Sequence, residues 1–548
     1  MAAGDTAATS KLASYLARLS PIPAFPEYTG PHKVGTVDVE IPISDLNSPS
    51  PAPENAVDIQ TVQFRVFYPA VAESNEKAIS WLPNPQRHHV SAYTQLFFAQ
   101  VLKAAAADTE TKRWPTMMFS HGLGGGRNSY SYIAGSLASH GVVVFCPEHR
   151  DGSAVVSYIR LANQPSRLLS SGTRRAVPYL RIPHEGTPEV HEAREAQLRI
   201  RLWELGLIHD AMLAIDTGRR FDNMNLTTPT LKHLIGRLDV HEPGRIIFAG
   251  HSFGATTMCQ FLKCNYYADI PEVAAMKKTL FSPAEDSSIR KQITERNVTM
   301  LLDMWCFPLI SPNSAPLFKL PLPVYADVPS APGGTALLAV ESEAFHDWTE
   351  HLHVKARILS PDPTSETVTP QLFERPSGVK LSEPSFFYVV NSAHLSQSDF
   401  GVLFPWLTKK IFNAEQPQRA LRLNLRAQLQ LFRQNGISVA RTFAGDLVEG
   451  VAVDKLRASQ GVEGMQAVAE SEGIEDDTAI FDRSGSGVVD HWKWIDMMGL
   501  GDFVGPNFGK TVEEQVEEGE EKMRGELEPR VNAAAAEPIV QTLSAAAA

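Results

Sequence analysis

The sequence has little cysteine and no long apolar run. Only four cysteines occur among 548 residues, Cys146, Cys259, Cys264 and Cys306, and none of them stands in a CxxC spacing. This scarcity argues against a disulfide framework and favours reduced, buried thiols in an intracellular protein. The longest apolar runs, such as GVVVFCP at residues 141–147, are far shorter than the roughly 20 residues that cross a bilayer. We therefore predict no transmembrane helix.

Basic charge is also in deficit. The chain has 50 Lys and Arg against 62 Asp and Glu, a formal net charge of −12. Because no basic stripe offsets this excess, a nucleic-acid partner is not expected. The N-terminal MAAGDTAATSKLASYLARLS has an early aspartate and no continuous apolar segment, so no secretory signal is expected either. These features predict a cytoplasmic protein, with peripheral association with membranes as a variant of that location.

Short apolar strands alternate with helical segments through most of the chain. The runs TMMFS, GVVVFCP and RIIFAG are separated by YSYIAGSLASH and by the long EVHEAREAQLRIRLWELGLIHDAMLAID. VTMLLDMW, TALLAVES and SFFYVVNS continue the series. This pattern predicts the α/β class, with a mostly parallel central sheet and helices on both faces.

The pentapeptide GHSFG at residues 250–254 has the form GxSxG. RIIFAG precedes it as a strand, and ATTMCQFLK follows with helix-compatible composition. In such a strand, turn and helix the glycines remove Cβ atoms from a strained turn, and the serine hydroxyl stands at a helix N-terminus. The context favours Ser252 as a nucleophile over a serine that glycines flank by chance.

A serine nucleophile needs a base and an acid that orients the base. His394 directly follows the predicted strand SFFYVVNSA and is the preferred base, with His346 as its rival. For the acid, Asp303 ends an apolar strand, while Glu341 and Glu343 lie in the next strand unit. Residue chemistry alone leaves the choice of acid open.

Two backbone amides should stabilise the oxyanion that forms during acyl transfer. The amide of Phe253 follows the nucleophile, and the glycine-rich loop FSHGLGGGRNS offers the amide of Leu123. A phosphate-binding loop is the alternative interpretation of these glycines, but the Lys and Ser/Thr of a P-loop are missing. We expect no cofactor and no metal ion.

Four separated motifs together resemble the platelet-activating factor acetylhydrolase family of the plasma and intracellular type II kind. They are FSHGLGGGRNSYSYIAGSLASHGVVVFCPEHRDGS, GHSFGATT, LLDMWCFPL and SAHLSQSDF, and WLPNPQ at residues 81–86 is similar too. The resemblance covers about residues 62–436. It implies an α/β-hydrolase fold and calcium-independent hydrolysis of short or oxidised sn-2 acyl chains of phospholipids. It also implies Asp303 as the acid, His394 as the base, and Leu123 and Phe253 as oxyanion donors.

The resemblance leaves three features of this chain outside the family pattern. Ala255 stands where the family often has a second glycine, residues 161–190 diverge, and the C-terminal extension is long. The last two put the substrate in doubt, because inserts near the strand ends shape the acyl pocket. A general carboxylesterase for small soluble esters and an inactive binding module are therefore the alternative functions.

The resemblance also suggests where the chain could meet lipid. Residues 91–108, SAYTQLFFAQVLKAAAAD, place Tyr93, Phe97, Val101 and Ala104 on one side of a helix. Contact with a membrane surface and packing on the core are both open for this face. The segment EHRDGS at residues 148–153 is expected to organise the site by pairing charges, without a catalytic role.

The predicted domain organisation has three parts. Residues 1–60 form an N-terminal segment with a Pro/Ser-rich loop, and residues 61–446 form the α/β-hydrolase catalytic domain. Residues 447–548 form a Glu-, Ala- and Gly-rich extension, predicted to be partly disordered or helical. A second small domain is the competing interpretation, because FDRSGSGVVDHWKWIDMMGLGDF is apolar enough to dock.

Overall fold

The computed structural model describes residues 25–26, 28–70, 81, 113–161, 174–184, 186–225, 230–404, 416–442, 474–484 and 488–501. The predicted lipid-facing helix at residues 91–108 and the glutamate-rich part of the C-terminal extension lie outside these ranges. Among the helices that the structure describes, none combines the length and apolar character needed to cross a membrane.

One mixed sheet dominates the described part of the chain. Its strands are β1 (Lys33–Pro42), β2 (Thr61–Ala70), β3 (Trp114–Ser120), β4 (Val143–Pro147), β7 (Leu238–Asp239), β8 (Ile247–His251), β9 (Thr299–Leu302), β10 (Leu337–Ser342), β11 (Ser385–Val389) and β12 (Trp492–Trp494). The order across the sheet is β1-β2-β4-β3-β8-β9-β10-β11-β12, with β7 also paired to β3. The six neighbouring strands β4, β3, β8, β9, β10 and β11 run parallel to one another. At the two ends of the sheet, the pairs β1–β2, β2–β4 and β11–β12 are antiparallel. A separate hairpin consists of β5 (Val156–Arg160) and β6 (Arg174–Pro178).

Helices connect most of the parallel strands. The α-helices are α1 (Ser131–Ser139), α2 (Pro188–Thr217), α3 (Phe253–Tyr266), α4 (Pro271–Ala274), α5 (Ser288–Gln292), α6 (Ala315–Phe318), α7 (Glu343–His346), α8 (Thr349–Ile358), α9 (Asp399–Leu403) and α10 (Pro417–Gln434). The longest, α2, has clear local signals at both ends. Thr187 caps it by accepting a hydrogen bond from the Val190 amide, and Gly218 ends it with a φ of 69°.

The sheet is buried on both faces. Along β8, Ile247 and Ala249 belong to the core on one face, and Phe248 belongs to the core on the other. Helices α1 and α10 pack on the first face and α2 packs on the second. Successive strand residues point to opposite faces, so continuous apolar runs such as IIFA are what a doubly covered parallel sheet requires. The predicted α/β architecture is therefore confirmed.

The sheet extends beyond the predicted catalytic domain at both ends. Strand β1 lies before residue 61 and pairs with β2, while β12 lies beyond residue 446 and pairs with β11. The Trp492 ring stacks on Phe387 with centroids 5.1 Å apart. Asp477, from the same late segment, forms a buried ion pair with Arg426 of α10, with nitrogen to oxygen distances of 2.7 and 2.8 Å. The described part of this apolar segment thus completes the edge of the sheet.

Candidate active site

The carboxyl ends of the central strands meet along one edge of the sheet. The strand register pairs Ser120 with Gly250, and Ser342 with Val389. In parallel α/β sheets, residues just after these ends face a common crevice. The predicted site residues all follow such ends, at β3 for Leu123, β8 for Ser252 and Phe253, β9 for Asp303 and β11 for His394.

Ser252 occupies a sharp turn between β8 and α3. Its φ of 56° and ψ of −123° place a non-glycine residue in a strained conformation, which typically costs about 1–3 kcal/mol. A Cβ on Gly250 would lie 2.4 Å from the backbone of Gly254, and a Cβ on Gly254 would lie 2.0 Å from the oxygen of Ser120. Both glycines are therefore required sterically. The strained turn places Ser252 at the N-terminus of α3.

Asp303 and His394 form a hydrogen-bonded pair. His394 Nδ1 lies 3.0 Å from Asp303 Oδ2, and the carboxylate is fully buried. Ser342 donates twice to Asp303, from its amide to Oδ1 at 2.6 Å and from its hydroxyl to Oδ2 at 2.8 Å. An ionised carboxylate only accepts, so His394 Nδ1 donates and Nε2 is the nitrogen that could take a proton.

The rival acids and the rival base have other partners. The Glu341 carboxylate pairs with the buried ammonium of Lys355, and burial raises the pKa of Glu341. Glu343 accepts the amide of Asn391 at 3.0 Å. His346 Nδ1 lies 3.1 Å from Oδ1 of its neighbour Asp347, and its ring stacks on Tyr388. Among the acids considered from the sequence, the structure brings Asp303 to His394.

The two predicted oxyanion donors flank the nucleophile. A Cβ on Gly122 would lie 2.9 Å from the Cβ of Ser252, so the glycine-rich loop passes directly beside the elbow. The amides of Gly122 and Gly124 donate to other groups. Within the described ranges, the amides of Leu123 and Phe253 donate no hydrogen bond. Both are therefore available to an oxyanion.

A buried arginine of α2 contacts both segments that carry the predicted oxyanion donors. Arg201 Nε lies 2.6 Å from Asp151 Oδ2, and its Nη1 donates to the carbonyl of His121 at 2.8 Å. The guanidinium also lies 4.4 Å from the ring centroid of Phe253. Asp151 belongs to EHRDGS, so the predicted charge-pairing role of that segment is confirmed. The sequence did not indicate Arg201, which lies 50 residues further on.

Replacing Arg201 with methionine should lower the free energy of unfolding by about 3–5 kcal/mol, because Asp151 would remain as a buried, unpaired charge. Urea denaturation of purified protein measures this loss. The matched control is Arg245→Met, which breaks a half-exposed pair with Asp239 and should cost at most about 1 kcal/mol. Equal losses in the two variants would contradict the role given to Arg201.

A second serine, histidine and acid series lies behind the site. Ser120 Oγ is 3.0 Å from His149 Nε2, and His149 Nδ1 is 2.9 Å from Glu204 Oε2. All three side chains are fully buried. Ser120 is the last residue of β3, and its full burial keeps substrate from its hydroxyl. This series anchors α2 to the sheet through Glu204. A serine, histidine and acid joined by hydrogen bonds therefore do not by themselves identify a catalytic serine.

Asp399 joins two of the motifs that carry the family resemblance. Its carboxylate accepts the amides of Ser131 and Tyr132 at 2.7 and 2.8 Å, which caps α1. It also accepts the indole N–H of Trp81, from WLPNPQ, at 2.9 Å. Burial raises the pKa of this carboxyl to about 6. The capped helix lies 267 residues upstream of Asp399, so no local sequence signal could reveal this cap.

His251, Asp303 and His394 also place one metal-ligand type atom each within 4.8 Å of one another. Asp303 and His394 already bond each other, and His251 Nδ1 lies 2.7 Å from the hydroxyl of Tyr130. These hydrogen bonds already occupy ring nitrogens of both histidines and the carboxylate of Asp303, and we assign no metal ion to the cluster.

Comparisons with known proteins find one matching family and several similar sequences. Residues 19–325 match the family described as "Platelet-activating factor acetylhydrolase, isoform II". A "Putative phospholipase A2" of Schizosaccharomyces pombe is 24% identical over 443 residues, which is 75% of this chain and 92% of the relative. A "Platelet-activating factor acetylhydrolase" of Cavia porcellus is 29% identical over 251 residues, 43% of this chain and 52% of the relative. The one of Bos taurus is 32% identical over 215 residues, 36% and 46% respectively. The chain thus spans about half the length of these two mammalian relatives.

Proposed function

Because the chain belongs to the platelet-activating factor acetylhydrolase isoform II family, we propose that it hydrolyses short or oxidised sn-2 acyl chains of phospholipids without calcium. Family membership makes it a carboxylic ester hydrolase. The observation that carries the proposal is the 3.0 Å bond between Asp303 and His394, at the same sheet edge as the strained elbow of Ser252. His394 lies outside the matched residues 19–325, so this contact supports the base independently of the match.

The proposed reaction proceeds through an acyl-enzyme. Ser252 Oγ attacks the ester carbonyl while His394 Nε2 takes its proton, and Asp303 stabilises the imidazolium. The amides of Leu123 and Phe253 hold the negative oxygen of the tetrahedral intermediate. The C–O bond then breaks, and the imidazolium gives its proton to the leaving alcohol, a lysophospholipid. Water, activated by the same histidine, releases the acid and restores Ser252.

Aromatic side chains beside the elbow support a short acyl chain as the substrate. Trp305 packs edge-on against Phe253 with centroids 5.9 Å apart and stacks on Phe307 at 5.5 Å. The rings of Trp305 and Phe307 are both buried. The amide of Trp305 donates to the carbonyl of Ser252 at 3.3 Å. We propose that these rings form the apolar side of the site that accepts the acyl group, since acyl chains bind against apolar side chains. Rings held in this way cannot withdraw easily to admit a long chain.

Hydrolysis rate against sn-2 chain length tests the substrate. On otherwise identical phosphatidylcholines, kcat/KM should fall at least about 100-fold between acetyl and palmitoyl, since about 1–3 kcal/mol per misfitting methylene accumulates quickly. Removal of calcium with a chelator should leave the rate unchanged. Equal rates for all chain lengths would contradict the proposal. Preference for p-nitrophenyl acetate, with no effect of lipid vesicles, would instead indicate a general carboxylesterase.

A further inference from the structure

A tyrosine and a histidine outside the acid, base and nucleophile connect the two halves of the site. The hydroxyl of Tyr130 accepts the amide N–H of Gly122 at 3.1 Å. The same hydroxyl lies 2.7 Å from Nδ1 of His251. Gly122 precedes the oxyanion donor Leu123, and His251 precedes the nucleophile. One phenol therefore touches both segments that must keep a fixed distance during acyl transfer.

The hydrogen bonds assign the protons along this connection. The oxygen of Tyr130 already accepts from Gly122, so its own proton is free to go to Nδ1 of His251. A neutral His251 then carries its proton on Nε2. That nitrogen lies 4.0 Å from Oδ2 of Asp303. The Nε2–H of His251 thus lies close to the buried carboxylate that orients the base.

The environment of His251 keeps its ring neutral. Burial, and next the neighbouring His394, hold the pKa of His251 well below its usual value, although the backbone carbonyl of His394 acts in the opposite direction. Neutrality matters because the two imidazoles are in contact, with centroids 4.4 Å apart and planes at 30°. A charged His251 would repel the imidazolium that forms on His394 in the transition state.

The stacked rings also fix the orientation of His394. Phe345 stacks on its other face, with centroids 4.4 Å apart and planes at 7°. The base is therefore held between His251 and Phe345, while its edge bonds Asp303. Rotation of the His394 ring out of this sandwich would break the stack with His251, which Tyr130 holds in place.

We propose that Tyr130 and His251 are positioning residues for ester hydrolysis: the Tyr130 hydroxyl holds the oxyanion loop at Gly122, and through His251 it fixes the plane of His394. The inference rests on the proposed function, in which Ser252 and His394 carry out the reaction. Tyr130 and His251 touch no reacting atom themselves. Their effect should therefore appear in the rate of the chemical step and not in substrate affinity.

The experiment is a double-mutant cycle with p-nitrophenyl acetate as the substrate. Tyr130→Phe removes only the hydroxyl and should lower kcat by about 10- to 100-fold with KM within about twofold, which is less than the direct loss of an oxyanion donor. His251→Leu should lower kcat at least as much. Because the two residues share the bond between the Tyr130 hydroxyl and His251, while Tyr130 also holds Gly122 directly, adding Tyr130→Phe to His251→Leu should lower kcat further, but by a smaller factor than Tyr130→Phe causes in the parent protein.

Tyr132→Phe is the matched control, since Tyr132 is a buried tyrosine in the first turn of α1, two residues after Tyr130, and its ring packs on Phe25 and Tyr28. Its kcat should stay within about twofold of the parent protein. A Tyr130→Phe variant with unchanged kcat, or losses in kcat that multiply in the double variant, would overturn the inference. His251→Asn, whose amide can still meet the Tyr130 hydroxyl, should recover part of the rate lost in His251→Leu.

The soluble ester separates this inference from the proposed substrate. Failure of the parent protein on phosphatidylcholines would contradict the proposed function and leave the Tyr130 comparison intact. The rate of Ser252 labelling by a fluorophosphonate is the second readout, because phosphonylation uses the same oxyanion site. Tyr130→Phe should slow labelling by a similar factor, whereas a merely structural role would lower the thermal midpoint and leave the labelling rate of folded protein unchanged.

Discussion

Ser252→Ala is expected to lower kcat by roughly 10⁴- to 10⁶-fold, the range found when a serine hydrolase loses its nucleophile. Alanine keeps the Cβ and the backbone of the elbow, so the thermal midpoint should change little. The rate with a short-acyl phosphatidylcholine and with p-nitrophenyl acetate measures the effect. Covalent labelling by a fluorophosphonate should disappear in the same variant.

Ser120→Ala is the control for that experiment. Ser120 has its own histidine and acid partners at ordinary hydrogen-bond distances, but it is fully buried. This variant should keep fluorophosphonate labelling and retain kcat within about tenfold, since it loses only the hydrogen bonds of one buried hydroxyl to His149 and Arg201. Undiminished turnover by Ser252→Ala, or loss of labelling in Ser120→Ala alone, would move the nucleophile away from the elbow.

Asp303→Asn should lower kcat by about 10³- to 10⁴-fold while the fold is retained. Asparagine has the same shape but cannot accept from His394 and from both donors of Ser342 at once. Its amide would favour the tautomer of His394 that carries the proton on Nε2, which is unable to take a proton from Ser252. Steady-state rates and the urea midpoint separate this catalytic loss from unfolding.

Glu343→Gln distinguishes Asp303 from the rival acids. Glu343 is close in sequence to Ser342 but bonds the amide of Asn391. Its loss should change kcat by no more than about threefold, because a partly exposed hydrogen bond contributes little. A Glu343→Gln defect as large as that of Asp303→Asn would assign the acid to Glu343, at the start of α7.

Much of the fold follows from local patterns in the sequence. Continuous apolar runs identified β3, β4, β8, β9, β10 and β11, because strands buried on both faces have no polar alternation to obscure them. The edge strand at the C-terminal end of the sheet is harder to place from the sequence. β12 is only three residues long, WKW, and it forms because Trp492 can stack on Phe387, a contact that no local pattern contains.

The site was predictable where its chemistry is local. The glycines of GHSFG reveal Ser252 because the turn physically excludes any Cβ at either position. Asp303 could not be separated from Glu341 by residue type, since both end apolar strands. The structure separates them by their partners: Glu341 forms an ion pair with Lys355, whereas Asp303 accepts a hydrogen bond from His394. The contact between Tyr130 and His251 is likewise not predictable from local sequence, because 121 residues separate the two.

The late position of β12 has a consequence for how the protein is made. Strand β11, which leads to His394, is completed at residue 389, but its outer edge pairs with a strand that begins at Trp492. During synthesis, therefore, the edge of β11 has no partner until about a hundred further residues have been added. An unpaired edge is prone to pair with other chains. Ribosome-bound chains halted between these two points should aggregate or recruit chaperones more than chains that include Trp492.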